Sequence, residues 1–190
     1  MKEGNQYSMI DIKNDVKEVL YSEEVISKRV KELGAAISKD YEGKDLLVVG
    51  VLKGSIVFTA DLIKGITIPC ELDFMAVSSY GKASESSGIV RILKDLDNDI
   101  EGKHILIVED IVDTGTTLSY LLKYLKARKA ESIEIVALLN KEARRKSNVT
   151  VKYSGFDVPD EFIVGYGIDY AEKYRNLPFI GSLKREIYEK

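Results

Sequence analysis

Residues 105–117 read ILIVEDIVDTGTT. An apolar run enters Glu109 and Asp110, a two-residue spacer follows, and Asp113 opens the turn Asp113-Thr114-Gly115-Thr116-Thr117. A turn of this kind at the start of a helix suits an anion. The first amides of a helix lack internal acceptors, and the positive end of the helix dipole lies there. Gly115 allows a close backbone approach, and three threonine hydroxyls add donors. Carboxylates would repel a phosphate, so Glu109, Asp110 and Asp113 need other work. They suit accepting hydrogen bonds from hydroxyls, holding a hard cation, or taking a proton. A lone Asp-Thr-Gly could be a helix cap beside solvated acids. Two acids, a spacer, a third acid and then the phosphate-type turn favour chemistry.

Other motifs are weaker. The chain has no GxxxxGK[ST], and Gly165-Tyr166-Gly167 starts a dinucleotide fingerprint that fails at Tyr170, where the third glycine belongs. Lys53-Gly54 follows an apolar run and Lys141 ends another. Taken alone, Lys53 reads as a turn lysine and Lys141 as part of the solvated run KEARRK. Phe162 reads as a core aromatic, and Asp169 and Arg175 as surface charges.

The elements that must position these residues can be read from periodicity. Residues 22–38 fit a helix capped by Ser22, with Val25, Ile26, Val30, Leu33 and Ile37 near one face. LLVVGVL (46–52) and HILIVE (104–109) are short apolar runs expected to be buried strands, and SIEIVALLN (132–140) is a third strand. Residues 55–65 and 116–129 read as helices, and 70–80 and IVRILKDL as strands. The polar, glycine-bounded 81–88 reads as a loop, and 161–169 as a last apolar segment. Alternating strands and helices imply an α/β fold: a parallel sheet with helices on both faces and ligands at the carboxyl ends of the strands. Residues 1–190 are expected to form one domain. Its core spans about 22–140, and a small hood lobe comes from about 1–20 and 141–190.

Composition narrows the class. The 45% hydrophobic content supports a packed core, and 28 basic against 31 acidic residues argue against broad nucleic-acid binding. Cys70 is the single cysteine and His104 the single histidine, so an internal disulfide is excluded and a His-rich metal site is not expected. Both read as structural. No 18-residue apolar stretch occurs, and the polar start of the chain lacks a signal-type apolar region. The expectation is a cytoplasmic protein without membrane partners. The Asn148-Val149-Thr150 sequon is then an accident.

VEDIVDTGTT resembles the phosphoribosyl-pyrophosphate motif of type I phosphoribosyltransferases. VGVLKGSIVFTADL (49–62), DFMAVSSYG (73–81), LLNK (138–141) and VPDEFIVGYGIDYAEKYRNLPFIGSL (158–183) resemble the hypoxanthine–guanine phosphoribosyltransferase family in order and spacing. The resemblance implies the type I phosphoribosyltransferase fold and purine salvage. A 6-oxopurine joins the ribose 5-phosphate of phosphoribosyl pyrophosphate, and pyrophosphate leaves with Mg²⁺ present. It implies that Thr114, Gly115, Thr116, Thr117 and Leu118 hold the 5′-phosphate, and that Glu109 and Asp110 hold the ribose hydroxyls. Asp113 is then the general base. Lys53, Gly54 and Arg175 contact pyrophosphate, with a cis peptide before Lys53.

Lys141, Phe162, Ile163 and Asp169 face the purine, and Asp169 meets Mg²⁺ together with Glu109 and Asp110. Ser79 and Tyr80 belong to a lid loop spanning 79–91. Homodimers or homotetramers and small-molecule substrates, with no nucleic acid, are the implied partners. Thr116 departs from relatives that carry lysine there, which lowers the charge near the phosphate. A xanthine or uracil enzyme, or a donor-sensing regulator that binds nucleic acid, is the alternative.

Overall fold

A computed structural model describes residues 9–79 and 90–189. In chain order the elements are α1 (Met9–Asn14), β1 (Val16–Tyr21), α2 (Glu23–Asp40), β2 (Leu46–Leu52), α3 (Ile56–Gly65), β3 (Glu71–Ser79), β4 (Val90–Lys94) and β5 (His104–Val112). They continue as α4 (Thr116–Lys126), β6 (Ser132–Asn140), a 3-10 turn (Glu142–Arg144), β7 (Tyr153–Asp157), β8 (Ile163–Val164), β9 (Ile180–Leu183) and α5 (Arg185–Tyr188). Ser79 ends β3, while Tyr80 and the rest of the expected lid up to residue 89 lie outside the described residues.

The large sheet has the order β4-β3-β2-β5-β6-β7, parallel except for the edge pair β3–β4. β2 is apolar throughout and buried except at Leu52, so both faces need cover. The two-residue side-chain period divides that cover. Leu46, Val48, Leu106, Val108, Val136 and Leu138 pack with Ile26, Val30, Leu33 and Ile37 of α2 and Phe58 and Leu62 of α3. Leu47, Val49, Val51, Ile105, Ile107, Ile135 and Ala137 pack with Leu118, Leu121 and Leu125 of α4 on the other face. Helix α2 starts at the expected cap, where Ser22 Oγ accepts from the Val25 amide at 3.4 Å.

Several bounds differ from the sequence expectation. β5 runs on to Val112 because its pairing with β6 continues through Ile111↔Leu139 and Val112↔Asn140. Glu109 and Asp110 therefore lie inside the strand, and Asp113 is the first residue beyond it. α4 stops at Lys126, short of Lys129, whose φ of 60° breaks helical geometry. β7 belongs to the large sheet, so the core passes beyond residue 140. YSGFD is too short and mixed to announce a strand, and its partner β6 fixes it there.

The remaining terminal elements form the antiparallel sheet β1-β9-β8, with Val164, Tyr174, Leu177 and Leu183 as its own small core. Only Ile163 and Val164 of 161–169 form a strand, since Gly165, Tyr166 and Gly167 then take φ of 97°, 50° and 98°. Among the described residues no helix is long and apolar enough to cross a membrane.

Candidate active site

The carboxyl end of β5 opens into a cleft of about 130 Å³ lined by Glu109, Ile111, Val112 and all residues from Asp113 to Leu118. The first bond of α4 runs from the Ser119 N–H to the Gly115 carbonyl, so the amides of Thr116–Leu118 precede the helical ladder. Thr114 Oγ1 lies 3.2 Å from Thr116 Oγ1 and accepts from the Thr116 amide at 3.4 Å. Gly115 is required twice. Its φ is 78°, and a Cβ would lie 2.4 Å from Ser147 Oγ. This loop gathers amides and hydroxyls at one helix start, which is the chemistry of a phosphate site.

The carboxylates differ in environment. Glu109 is buried, and burial, reinforced by the Asp110 charge, pushes its pKa well above the usual range. Burial also pushes Asp110 up to about 6, opposed by hydrogen bonding to its carboxylate, including the Ile111 amide at 2.7 Å. Groups that leave an acid poorly solvated invite a hydroxyl donor or a cation to share it. Asp113 is partly exposed. Among the described residues its buried Oδ1 takes no hydrogen bond, although Arg144 Nε stands 3.3 Å away. The carboxylate at the mouth of the cleft thus keeps hydrogen-bonding capacity for a ligand.

A second group of residues comes from the end of β2 and from the hood. The Leu52–Lys53 peptide is cis. Gly54 lies so close to Asp110 that a Cβ would fall 1.7 Å from its Oδ2, and Gly167 in turn packs on the Gly54 carbonyl. Arg175 donates to the Gly167 carbonyl at 2.9 Å and pairs with Asp169 at 2.8 Å. Asp169 Oδ2 accepts from the Glu172 amide at 2.8 Å. Lys53 pairs with Glu172 at 3.1 Å. Lys53, Gly54, Asp169 and Arg175 therefore meet beside Asp110, although 122 positions separate Lys53 from Arg175.

Lys141 follows the end of β6, beside the end of β5. Its amide donates to Val112 at 2.9 Å, and its buried ammonium donates to the Glu161 carbonyl at 2.8 Å. It is not a member of a solvated run. Ile163 is buried in β8, while Phe162 is 47% exposed and touches Tyr188, with ring centroids 4.5 Å apart. An aromatic face so available, next to a held ammonium, is a stacking surface rather than core.

Among the described residues no three potential ligands form a closed metal cage. Mg²⁺ does not require one: it commonly uses one or two carboxylates plus substrate phosphates and water. The hard oxygens of Glu109, Asp110 and Asp169, around a cleft fit for phosphates, match that mode.

Sequence reading missed the support of the phosphate loop. Arg145 donates to the carbonyls of Asp113 at 3.2 Å and Val149 at 2.9 Å, and to Asn140 Oδ1 at 2.5 Å. Ser147 and the Lys146 amide hold the Thr114 carbonyl. Within a basic run nothing marks Arg145 as different from Arg144 or Lys146.

Residues 17–171 match the phosphoribosyl transferase domain, and the chain belongs to that family; it is a phosphoribosyltransferase. A curated hypoxanthine-guanine phosphoribosyltransferase of Bacillus subtilis is 56% identical over 178 residues, covering 94% of this chain and 99% of that protein. A crystal structure of a hypoxanthine phosphoribosyltransferase from Staphylococcus aureus superposes with a TM-score of 0.92 at 55% identity, covering 94% of this chain and 97% of the other. A hypoxanthine-guanine phosphoribosyltransferase from Bacillus anthracis, with a HEPES molecule in its active site, gives 0.85 at 50%, covering 89% and 99%.

Proposed function

We propose that the chain transfers the 5-phosphoribosyl group of phosphoribosyl pyrophosphate to an imidazole-ring nitrogen of hypoxanthine or guanine, forming IMP or GMP and pyrophosphate. The observation that carries this reading is a single cleft. It joins the amides of Thr114–Leu118 to Glu109 and Asp113, with Lys141 fixed at the same strand end through Val112. The 5′-phosphate sits on the loop amides and threonine hydroxyls. Glu109 and Asp110 accept from the ribose hydroxyls, and their negative charge favours the cationic ribose of the transition state.

The bond from the anomeric carbon to pyrophosphate breaks as the bond to the purine nitrogen forms. The proton of that nitrogen passes to Asp113, and the electron pair of the broken bond leaves with pyrophosphate. Lys53, the Gly54 amide and Arg175 receive the pyrophosphate. Lys141 donates to the 6-oxo group, Phe162 stacks on the base, and the Ile163 main chain borders it. Mg²⁺, held by Asp169 together with Asp110 or Glu109 and the donor's oxygens, would neutralise charge on the leaving group.

We read the two sheets as one domain, the hood supplying Phe162, Asp169 and Arg175 to the sheet's ligand edge. By likeness to the family the protein is a homodimer or homotetramer with no nucleic-acid partner. A highly charged donor does not cross a bilayer, so this reading places the protein in the cytoplasm. The test is a base panel: protein, donor and Mg²⁺ with hypoxanthine, guanine, xanthine, adenine or uracil. Nucleotide is expected with the first two. Product only with xanthine or uracil would move the base assignment, and binding of donor without product from any base would overturn catalysis.

A further inference from the structure

The segment 171–174 is not explained by substrate contacts. Ala171, Glu172 and Tyr174 hold φ of 51°, 62° and 75°, a region that disfavours residues other than glycine. The turn is nevertheless tied down: the Glu172 amide donates to Asp169 Oδ2 at 2.8 Å, and Tyr170 and Lys173 exchange backbone hydrogen bonds at 3.1 and 3.2 Å. This aims the Glu172 carboxylate at two cations. Its Oε2 lies 3.1 Å from Lys53 Nζ and 3.4 Å from Arg175 Nη2. One anionic oxygen therefore sits between the cations that the proposed function assigns to pyrophosphate.

We propose that Glu172 is a further residue of the pyrophosphate subsite, an internal counter-anion that occupies Lys53 and Arg175 in the free enzyme and competes with the pyrophosphate group for them. The inference rests on the proposed function. Binding of the donor exchanges the carboxylate for phosphate oxygens at both cations. After transfer the tethered carboxylate can return, which hastens departure of pyrophosphate. Arg175 keeps its orientation during the exchange, because Asp169 and the Gly167 carbonyl hold it independently. Among the described residues Lys53 has no such second anchor, and it is exposed, so it is the cation that Glu172 chiefly restrains.

The test compares wild type with Glu172→Gln, which keeps the shape and removes the charge at an exposed position. Titration calorimetry with inorganic pyrophosphate and excess Mg²⁺ is expected to show about three- to tenfold tighter binding in the variant, the scale of two solvent-screened ion pairs. The KM for the donor should fall in parallel while the KM for the purine stays unchanged, and the advantage should shrink at high salt. Unchanged or weaker pyrophosphate binding would overturn the inference, and weaker binding would instead make Glu172 a ligand of the substrate's Mg²⁺. Lys53→Ala and Arg175→Ala separate the two levels. If both leave pyrophosphate binding unchanged, the subsite assignment itself fails. If they weaken it and Glu172→Gln does not strengthen it, only the role of Glu172 fails.

Discussion

The phosphate loop and the hood-facing subsite are built in opposite ways. Residues 109–118 are consecutive, and a strand, a turn and a helix start place their groups, with Arg145, Lys146 and Ser147 bracing the carbonyls of Asp113 and Thr114. The subsite around Lys53 draws on the end of β2, on Asp110, and on a hood turn at 167–175 whose residues contact one another across the fold. The first depends on backbone conformation. The second depends on side-chain ion pairs, which exchange readily with a ligand. In the proposed function a rigid anchor for the sugar phosphate stands beside an exchangeable one for the leaving group, which suits a reaction that keeps one phosphate and releases the other.

Asp113 lines the cleft of the first region, and its replacement should have the largest effect. Asp113→Asn is expected to lower turnover by about 10²–10⁴-fold in single-turnover kinetics, with donor binding retained because the loop amides remain. Wild-type turnover in that variant would remove the general base from the mechanism. Next in size is Lys141→Met. Losing a buried charged donor, worth about 1.5–3 kcal/mol, should raise the KM for 6-oxopurines about 10- to 100-fold and leave the KM for the donor unchanged. An equal rise in both would mean that Lys141 supports the loop rather than the base.

Gly115→Ala probes the rigid side of the comparison. A left-handed alanine whose Cβ meets Ser147 should lower stability by about 1–2 kcal/mol in urea denaturation and weaken donor binding more than base binding. Equal affinities would argue that the loop tolerates rearrangement.

The smallest effect concerns pH. Asp110 is raised to about 6 from an ordinary value of 3.8, and Glu109 is raised in the same direction. The folded state therefore binds more protons than the unfolded state between about pH 4 and 6. Stability of the ligand-free, metal-free protein should fall as pH rises through that window. Asp110→Asn should flatten the fall in denaturation midpoints. A rise with pH in this window would contradict the burial of these acids.

The alternating pattern of apolar runs already called for a parallel sheet, and β2 and β6 have the bounds that their sequences suggest. The turn at the start of α4 was equally legible, because Asp-Thr-Gly-Thr-Thr after an apolar run is a local signal. Arg145 and β7 were hidden for a shared reason: each is defined by its partner, the loop carbonyls in one case and β6 in the other. Taken without the resemblance, Lys141 reads as solvated, whereas its ammonium is buried against the Glu161 carbonyl.

By itself, the sequence determined the elements whose stabilising contacts are local: buried strands, amphipathic helices and a glycine turn at a helix start. Tertiary structure alone decided which distant charges meet, bringing Lys53 to Glu172. The physical reason is range. Backbone conformation is set within a few residues, whereas an ion pair is fixed only when the whole chain has folded around it.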